Sequence, residues 1–154
     1  NVGRGVMAQS GAGVRRVDAK DERRCAENAI RRLGIKTPGP HALVTELSGG
    51  NAQKVVVAKW LTDRTRVLLL DEPTAGIDIG ARTDILLLVR GLADEGLPVI
   101  LVSSEFEELL AICDRILVMR DGRVIGEADP NETSETDLTL MAGGGDRAPA
   151  GAPA

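Results

Sequence analysis

Tyrosine is absent from this chain of 154 residues, and Trp60 and Phe106 are its only aromatic side chains apart from the ring of His41. Base stacking therefore has almost nothing to work with. A formal net charge of −4 points the same way, so no nucleic acid is expected as a partner. His41 is the only histidine, has no acid or ligand partner nearby in sequence, and reads as structural or exposed. Cysteine is scarce as well: Cys25 and Cys113 lie far apart without metal-ligand spacing, which fits reduced, packed thiols. The longest uninterrupted aliphatic run, 85–89, falls far short of the roughly 20 apolar residues that a membrane-spanning helix needs. No secretory pattern of charged, apolar and small residues opens the chain, so the expected compartment is the cytoplasm. No internal repeat is present.

What the chain does have is enough apolar character, 43%, for a domain with a core. Its organising stretch is 47–78. There Leu47-Ser48-Gly49-Gly50-Asn51 leads into a helical pattern, and the run Val67-Leu68-Leu69-Leu70 stops at Asp71-Glu72-Pro73-Thr74. An apolar run ending in two carboxylates predicts a buried parallel strand that delivers acid groups to the carboxyl edge of a sheet, where open α/β folds place ligands. Ser48, Gly49 and Gly50 put a hydroxyl and unencumbered backbone amides at a helix start, which favours an anionic phosphate.

In this order and spacing, the residues resemble the ATP-binding cassette (ABC) family. The octet from Leu47 to Lys54 is similar to its signature motif, 67–72 to its Walker B strand, and Ala75-Gly76-Ile77-Asp78 to its D-loop. The wording of these motifs, together with Val102-Ser103-Ser104-Glu105, is similar to the second of two tandem cassettes in the ATP-binding subunits of ribose-type sugar importers. The resemblance runs from about residue 18 to about 145. Ala75 departs from it, since members usually carry Arg there.

Along the chain, 1–16 reads as a frayed helix or a loop. An amphipathic helix is predicted over 18–33, capped by Asp18, with Cys25, Ala26, Ala29, Ile30 and Leu33 on one face and Arg23, Arg24, Arg31 and Arg32 on a solvated one. Gly34 and the run Thr37-Pro38-Gly39-Pro40 stop it. A short helix follows over 52–61, with Val55, Val56, Ala58 and Trp60 suited to burial. Further helices are predicted over 81–95 and 106–112, a buried strand over 99–102, a hairpin of 116–119 with 124–125 about Asp121-Gly122, and a last helix over 133–141 capped by Thr133 or Ser134. Strand, helix, strand is the crossover unit of a parallel sheet.

The fold class implied is α/β: a partial P-loop NTPase (ABC ATPase) fold, with a parallel sheet core, a helical subdomain and a C-terminal β-hairpin. Residues 1–46 are expected to belong to the helical subdomain, 47–142 to the signature helix, Walker B and the rest of the ATPase core, and 143–154 to a disordered tail.

The resemblance also implies the chemistry. Asp71 would anchor Mg²⁺, usually through water, and Glu72 would polarise the water that attacks ATP; for both to reach one ligand the strand must end here. Ser48, Gly49, Gly50 and Asn51 would contact the γ-phosphate of a nucleotide held by the opposite cassette, and Asp78 would cross the same interface to position that site's water. Ser104 stands where ABC proteins in general carry a switch histidine. It can hydrogen-bond a phosphate but cannot carry an imidazole's charge, so the site served by Asp71 and Glu72 is expected to hydrolyse weakly. The implied partners are a second ABC cassette, a membrane permease subunit and, indirectly, a sugar-binding protein. The implied location is cytoplasmic and peripheral, on the inner face of the membrane.

No Gly-x-x-x-x-Gly-Lys-Ser/Thr loop occurs; the clusters 11–13 and 143–145 are followed by no lysine and preceded by no strand. The chain is therefore expected to be the C-terminal part of a cassette, without the Walker A strand and helix, and on its own to be inactive towards ATP. In this ATPase class the Walker A strand would lie between the strands at 99–102 and 116–119. Two other readings remain open: a truncated, non-catalytic remnant serving as an interaction module, and a non-transport ABC ATPase of the DNA-repair or translation kind. Asn51 and the pair Ser103-Ser104 count against the second.

Overall fold

A computed structural model of the chain describes residues 19–62 and 64–144, which form two compact units that divide between Ile100 and Leu101. The opening stretch 1–16, the Asp18 cap and the tail from residue 145 lie outside the described residues.

In the first unit, helix α1 (Ala19–Arg32) starts with Asp21 and Glu22 in its first turn and ends with Arg31 and Arg32 in its last, a charge order that suits the helix dipole. Gly34 closes it at φ +59, and the Ile35 amide donates back to the Ile30 carbonyl at 3.0 Å, a Schellman-type stop. Ala26, Leu33 and Ile35 are buried. Cys25, expected to pack, is exposed. Ala26, Ala29, Ile30 and Leu33 already complete a helical stripe at i, i+3, i+4 and i+7, and Cys25 falls at its edge. The arginine face is solvated and paired along the helix: Arg23 with Glu27 at 2.8 Å, Arg24 with Asp21 at 3.2 Å, and Arg31 with Asn28 at 2.6 Å.

After a 3₁₀ turn (Val44–Glu46), helix α2 (Gly49–Trp60) begins three residues before the predicted 52. Val55, Val57 and Ala58 are buried, whereas Val56 and Trp60, both expected inside, are 47% and 48% exposed. Successive residues turn by 100°, so Val56 and Trp60, four apart, share the outer face. Leu33, Ile35, Val55 and Ala58 form one core, with Ala29, Ile30, Val44, Leu47, Leu61 and Leu88 packed on it.

Strand β1 (Leu68–Asp71) buries Leu68 and Leu70 but leaves Leu69 exposed. Helix α3 (Ile79–Asp94) buries Ile85, Leu86, Val89 and Leu92 and ends at Gly96, φ +92. Strand β2 (Val99–Val102) then pairs with β1 in a small parallel sheet. The sequence predicts both strands as buried. Alternating burial in β1, and the exposure of Ile100 in β2, show one covered face only.

The second unit holds helix α4 (Phe106–Ile112), the antiparallel hairpin β3 (Ile116–Arg120) and β4 (Arg123–Ala128), and helix α5 (Glu135–Gly143). Asp121 and Gly122 both take positive φ, 50 and 73, as a type I′ turn requires. The register slips between Val118 and Met119, so that Val118 faces Gly126 while Met119 faces Val124. Ile116, Val118, Ala128 and Leu138 make the core. Ser134 caps α5 in a reciprocal box with Asp137. Among the described residues, no helix is long and apolar enough to cross a membrane.

Candidate functional site

Ser48 is the N-cap residue of α2, in extended backbone (φ −60, ψ 156), yet its hydroxyl caps no backbone amide. The first amide of the helix to find a partner is that of Ala52, which donates to the Ser48 carbonyl at 2.9 Å. The N–H groups of Gly49, Gly50 and Asn51 have none among the described residues. Ser48 and Gly49 are exposed and Gly50 is buried. A helix start with uncommitted amides and an exposed hydroxyl is chemically suited to an anion.

Asn51 sits one turn inside. Its Oδ1 accepts the Lys36 amide at 2.7 Å, and its Nδ2 donates to Ser48 Oγ at 2.8 Å. The loop after α1 is thereby tied to the first turn of α2.

The segment 75–78 adjoins this turn. A Cβ on Gly49 would stand 3.3 Å from Ile77 Cγ2, and one on Gly50 would stand 2.5 Å from the Cβ of Ala81. Asp78 is the N-cap of α3, its Oδ1 accepting the Ala81 amide at 2.9 Å. The carboxylate therefore has a local structural task whatever else it does.

Asp71 ends β1 with its side chain exposed, and Glu72 follows at φ +45, a left-handed backbone rare for a residue with a side chain. That rotation breaks the strand, and the Ala75 amide donates to the Glu72 carbonyl at 3.1 Å to turn the chain over the buried Pro73 and Thr74. Strict alternation would have sent the two carboxylates to opposite faces of the sheet. Among the described residues, no cluster of three or more His, Cys, Asp or Glu could hold a metal ion. Mg²⁺ is compatible with this, because it is commonly held by one or two carboxylates together with waters and substrate phosphates. Asp71, exposed at the strand end, is a donor of the right chemistry, and Glu72 follows it directly.

In the second unit, Ser104 is exposed. Its neighbour Ser103 is committed elsewhere: its Oγ donates to Glu108 Oε2 and accepts the Glu105 amide, both at 3.0 Å. Three residues outside the predicted set of site residues shape the first-unit site: Ile77, within the D-loop-like segment, and Ala81, which press on the glycines, and Lys36, which acts through its backbone amide. A small side chain at 81 was the one available signal, and it is legible only once α2 and α3 are known to touch.

The family model for ABC transporters matches residues 4–75. The ribose import ATP-binding protein RbsA 2 of Rhizobium meliloti (strain 1021) is 45% identical over 128 residues, 83% of this chain and 25% of that protein. Ribose import ATP-binding protein RbsA of Burkholderia mallei (strain ATCC 23344) is 51% identical over 108 residues, 70% of this chain and 21% of that protein. The chain thus spans about a quarter of the length of these curated relatives. Among solved structures, cbiO1 from Clostridium perfringens, part of the ABC transporter complex cbiONQ, superposes with a TM-score of 0.67 at 29% identity, over 86% of this chain and 50% of that one. The dimeric bacterial ABC transporter cassette MJ0796 shares the fold, with a TM-score of 0.65 at 22% identity over 84% of this chain and 54% of that one.

Proposed function

This chain belongs to the ABC transporter family, and from that premise we propose that it is the C-terminal part of the second cassette of an ATP-hydrolysing subunit of a ribose-type carbohydrate importer. One observation carries the reading: the motif Ser48-Gly49-Gly50-Asn51 opens a helix whose first amides and N-cap hydroxyl are not consumed by capping. Ser48 and the amides of the first turn contact the γ-phosphate of an ATP held by a second cassette, so the nucleotide joins the pair and hydrolysis parts it. Asp78, beside that turn, reaches across the same interface as a D-loop residue.

At the chain's own strand end, Asp71 holds Mg²⁺ and Glu72 orients the attacking water. Mg²⁺, when bound, supplies charge neutralisation on the phosphates. This cassette is the weaker in hydrolysis of the pair, because Ser104 takes the place of a histidine that could carry positive charge. The opening and closing of the cassettes drives a membrane permease that receives sugar from a binding protein. The subunit works in the cytoplasm as a peripheral protein on the inner face of the membrane. Residues 1–46 belong to its helical subdomain and 47–142 to its signature helix, Walker B and the rest of its ATPase core, whose last helix closes at Gly143.

The test is ATP hydrolysis by the purified full-length subunit. Ser48→Arg, which fills the phosphate surface, is expected to lower turnover by at least about tenfold, the scale of losing hydrogen bonds to a charged group. Glu72→Gln is expected to leave a measurable remainder from the other site. Full activity in Ser48→Arg together with none in Glu72→Gln would reverse the assignment of roles.

A further inference from the structure

Asn51 belongs to the signature by sequence, but its side chain is already engaged. A backbone N–H can only donate, so the atom of Asn51 that meets the Lys36 amide at 2.7 Å is the carbonyl oxygen. That contact settles which end of the side-chain amide faces the other way. The NH₂ group must then be the one 2.8 Å from Ser48 Oγ, and it can only donate. Ser48 Oγ therefore spends a lone pair on Asn51, and its single proton is turned away from Asn51. Because this hydroxyl caps no amide of α2, its orientation is set from Asn51 rather than by the backbone, as it would be at an ordinary serine cap.

We propose that Asn51 is a positioning residue: anchored by the Lys36 amide, it holds the Ser48 hydroxyl as an outward donor towards an anionic oxygen of the nucleotide phosphate, without its own side chain touching the nucleotide. The inference rests on the reading of Ser48 as a phosphate contact. A hydroxyl free to rotate offers either a proton or a lone pair to an incoming anion, and only the first is attractive. Excluding the orientation that points the proton at Asn51 leaves fewer for the ligand to select among when it arrives. Ser48 is exposed whereas Asn51 is half-buried behind it, as this division of labour requires.

A double-mutant cycle in the full-length subunit tests this, with Mg·ATP as the probe and kcat and KM measured for Ser48→Ala, Asn51→Ala and the pair. Each single variant is expected to lower kcat/KM by about tenfold. The pair is expected to lose no more than Ser48→Ala alone, because Asn51 has nothing left to orient. Losses that multiply would show that Asn51 acts independently of Ser48 and would overturn the inference while leaving the phosphate surface in place. An unchanged kcat/KM in Ser48→Ala would instead remove the underlying reading. Asn51→Ser serves as the second variant should the alanine fail to fold: too short to reach both partners, it is expected to match Asn51→Ala, and wild-type kcat/KM in it would also overturn the proposal. A purely structural part for Asn51 would lower the melting temperature in both Ser48 backgrounds without a coupled change in kcat/KM, and that outcome counts against the proposal too.

Discussion

Gly50 of α2 and Ala81 of α3 meet so closely that a Cβ on the glycine would lie 2.5 Å from that of the alanine. Real Cβ atoms do not approach to that distance, so the close approach of the two helix starts requires a glycine on one side and a small residue on the other. Gly50 is therefore needed for packing, independently of any bound phosphate. The Gly50→Ala variant is expected to lose about 1–3 kcal/mol, read as a lowered melting temperature of the full-length protein. Gly126→Ala is the control. Its new Cβ would also come to 2.5 Å, but against the flexible methyl end of Met141, and the expected loss is under about 1 kcal/mol because that tip can swing aside.

The Asp78 carboxylate accepts the Ala81 amide at 2.9 Å. Asp78→Ala is expected to cost about 1 kcal/mol as a lost N-cap, and Asp78→Asn close to nothing, since asparagine caps as well as aspartate. Thermal melting separates the two. If Asp78→Asn melts like the parent but hydrolyses ATP more slowly, the charge has a use beyond the cap.

Glu72 holds a left-handed backbone at φ +45. A glycine there would adopt the same φ without steric penalty, so Glu72→Gly is expected to match or exceed the parent in stability, by up to about 1 kcal/mol, while abolishing the chemistry proposed for the carboxylate. Denaturant unfolding checks the first half and ATP turnover the second. A clear loss of stability would mean that the glutamate's own contacts outweigh the backbone strain.

Lys54 Nζ lies 3.5 Å from Asp84 Oδ2, with the lysine side chain 11% exposed and the aspartate 55%. An ion pair with one partner so open to water is screened, so Asp84→Asn is expected to cost no more than about 1 kcal/mol. Lys54→Ala removes a buried aliphatic stem as well as the charge, and is expected to cost more, by about 1 kcal/mol. Chemical denaturation of both variants ranks the two effects.

Local chemistry was legible wherever a residue's own neighbours in sequence decide its conformation. The helix over 106–112 and the strand over 99–102 appear at the predicted residues, and Asp121-Gly122 makes the predicted turn. Gly34 stops α1 as read, because a glycine at a helix end admits positive φ. Misreadings fell on residues whose surroundings come from elsewhere in the chain. Val56, Trp60 and Cys25 are apolar enough for a core, but Val56 and Trp60 project from the outer face of α2 and Cys25 lies at the edge of the buried stripe of α1. Helix α2 starts earlier than propensity predicts: a glycine pair is a poor helix former, and packing against Ala81 and Ile77 outweighs that propensity.

By itself, the sequence determined the order of elements and the residues of the candidate site, since both depend on motifs a few residues long: a serine and two glycines at a helix start, and two acids at a strand end. Only the tertiary structure decided how those residues are held. Gly50 is required by Ala81, 31 positions further on. The Ser48 hydroxyl is oriented through Asn51 from the Lys36 amide, and the contacts that set both are distances between segments brought together by a core that no single stretch of chain can bury alone.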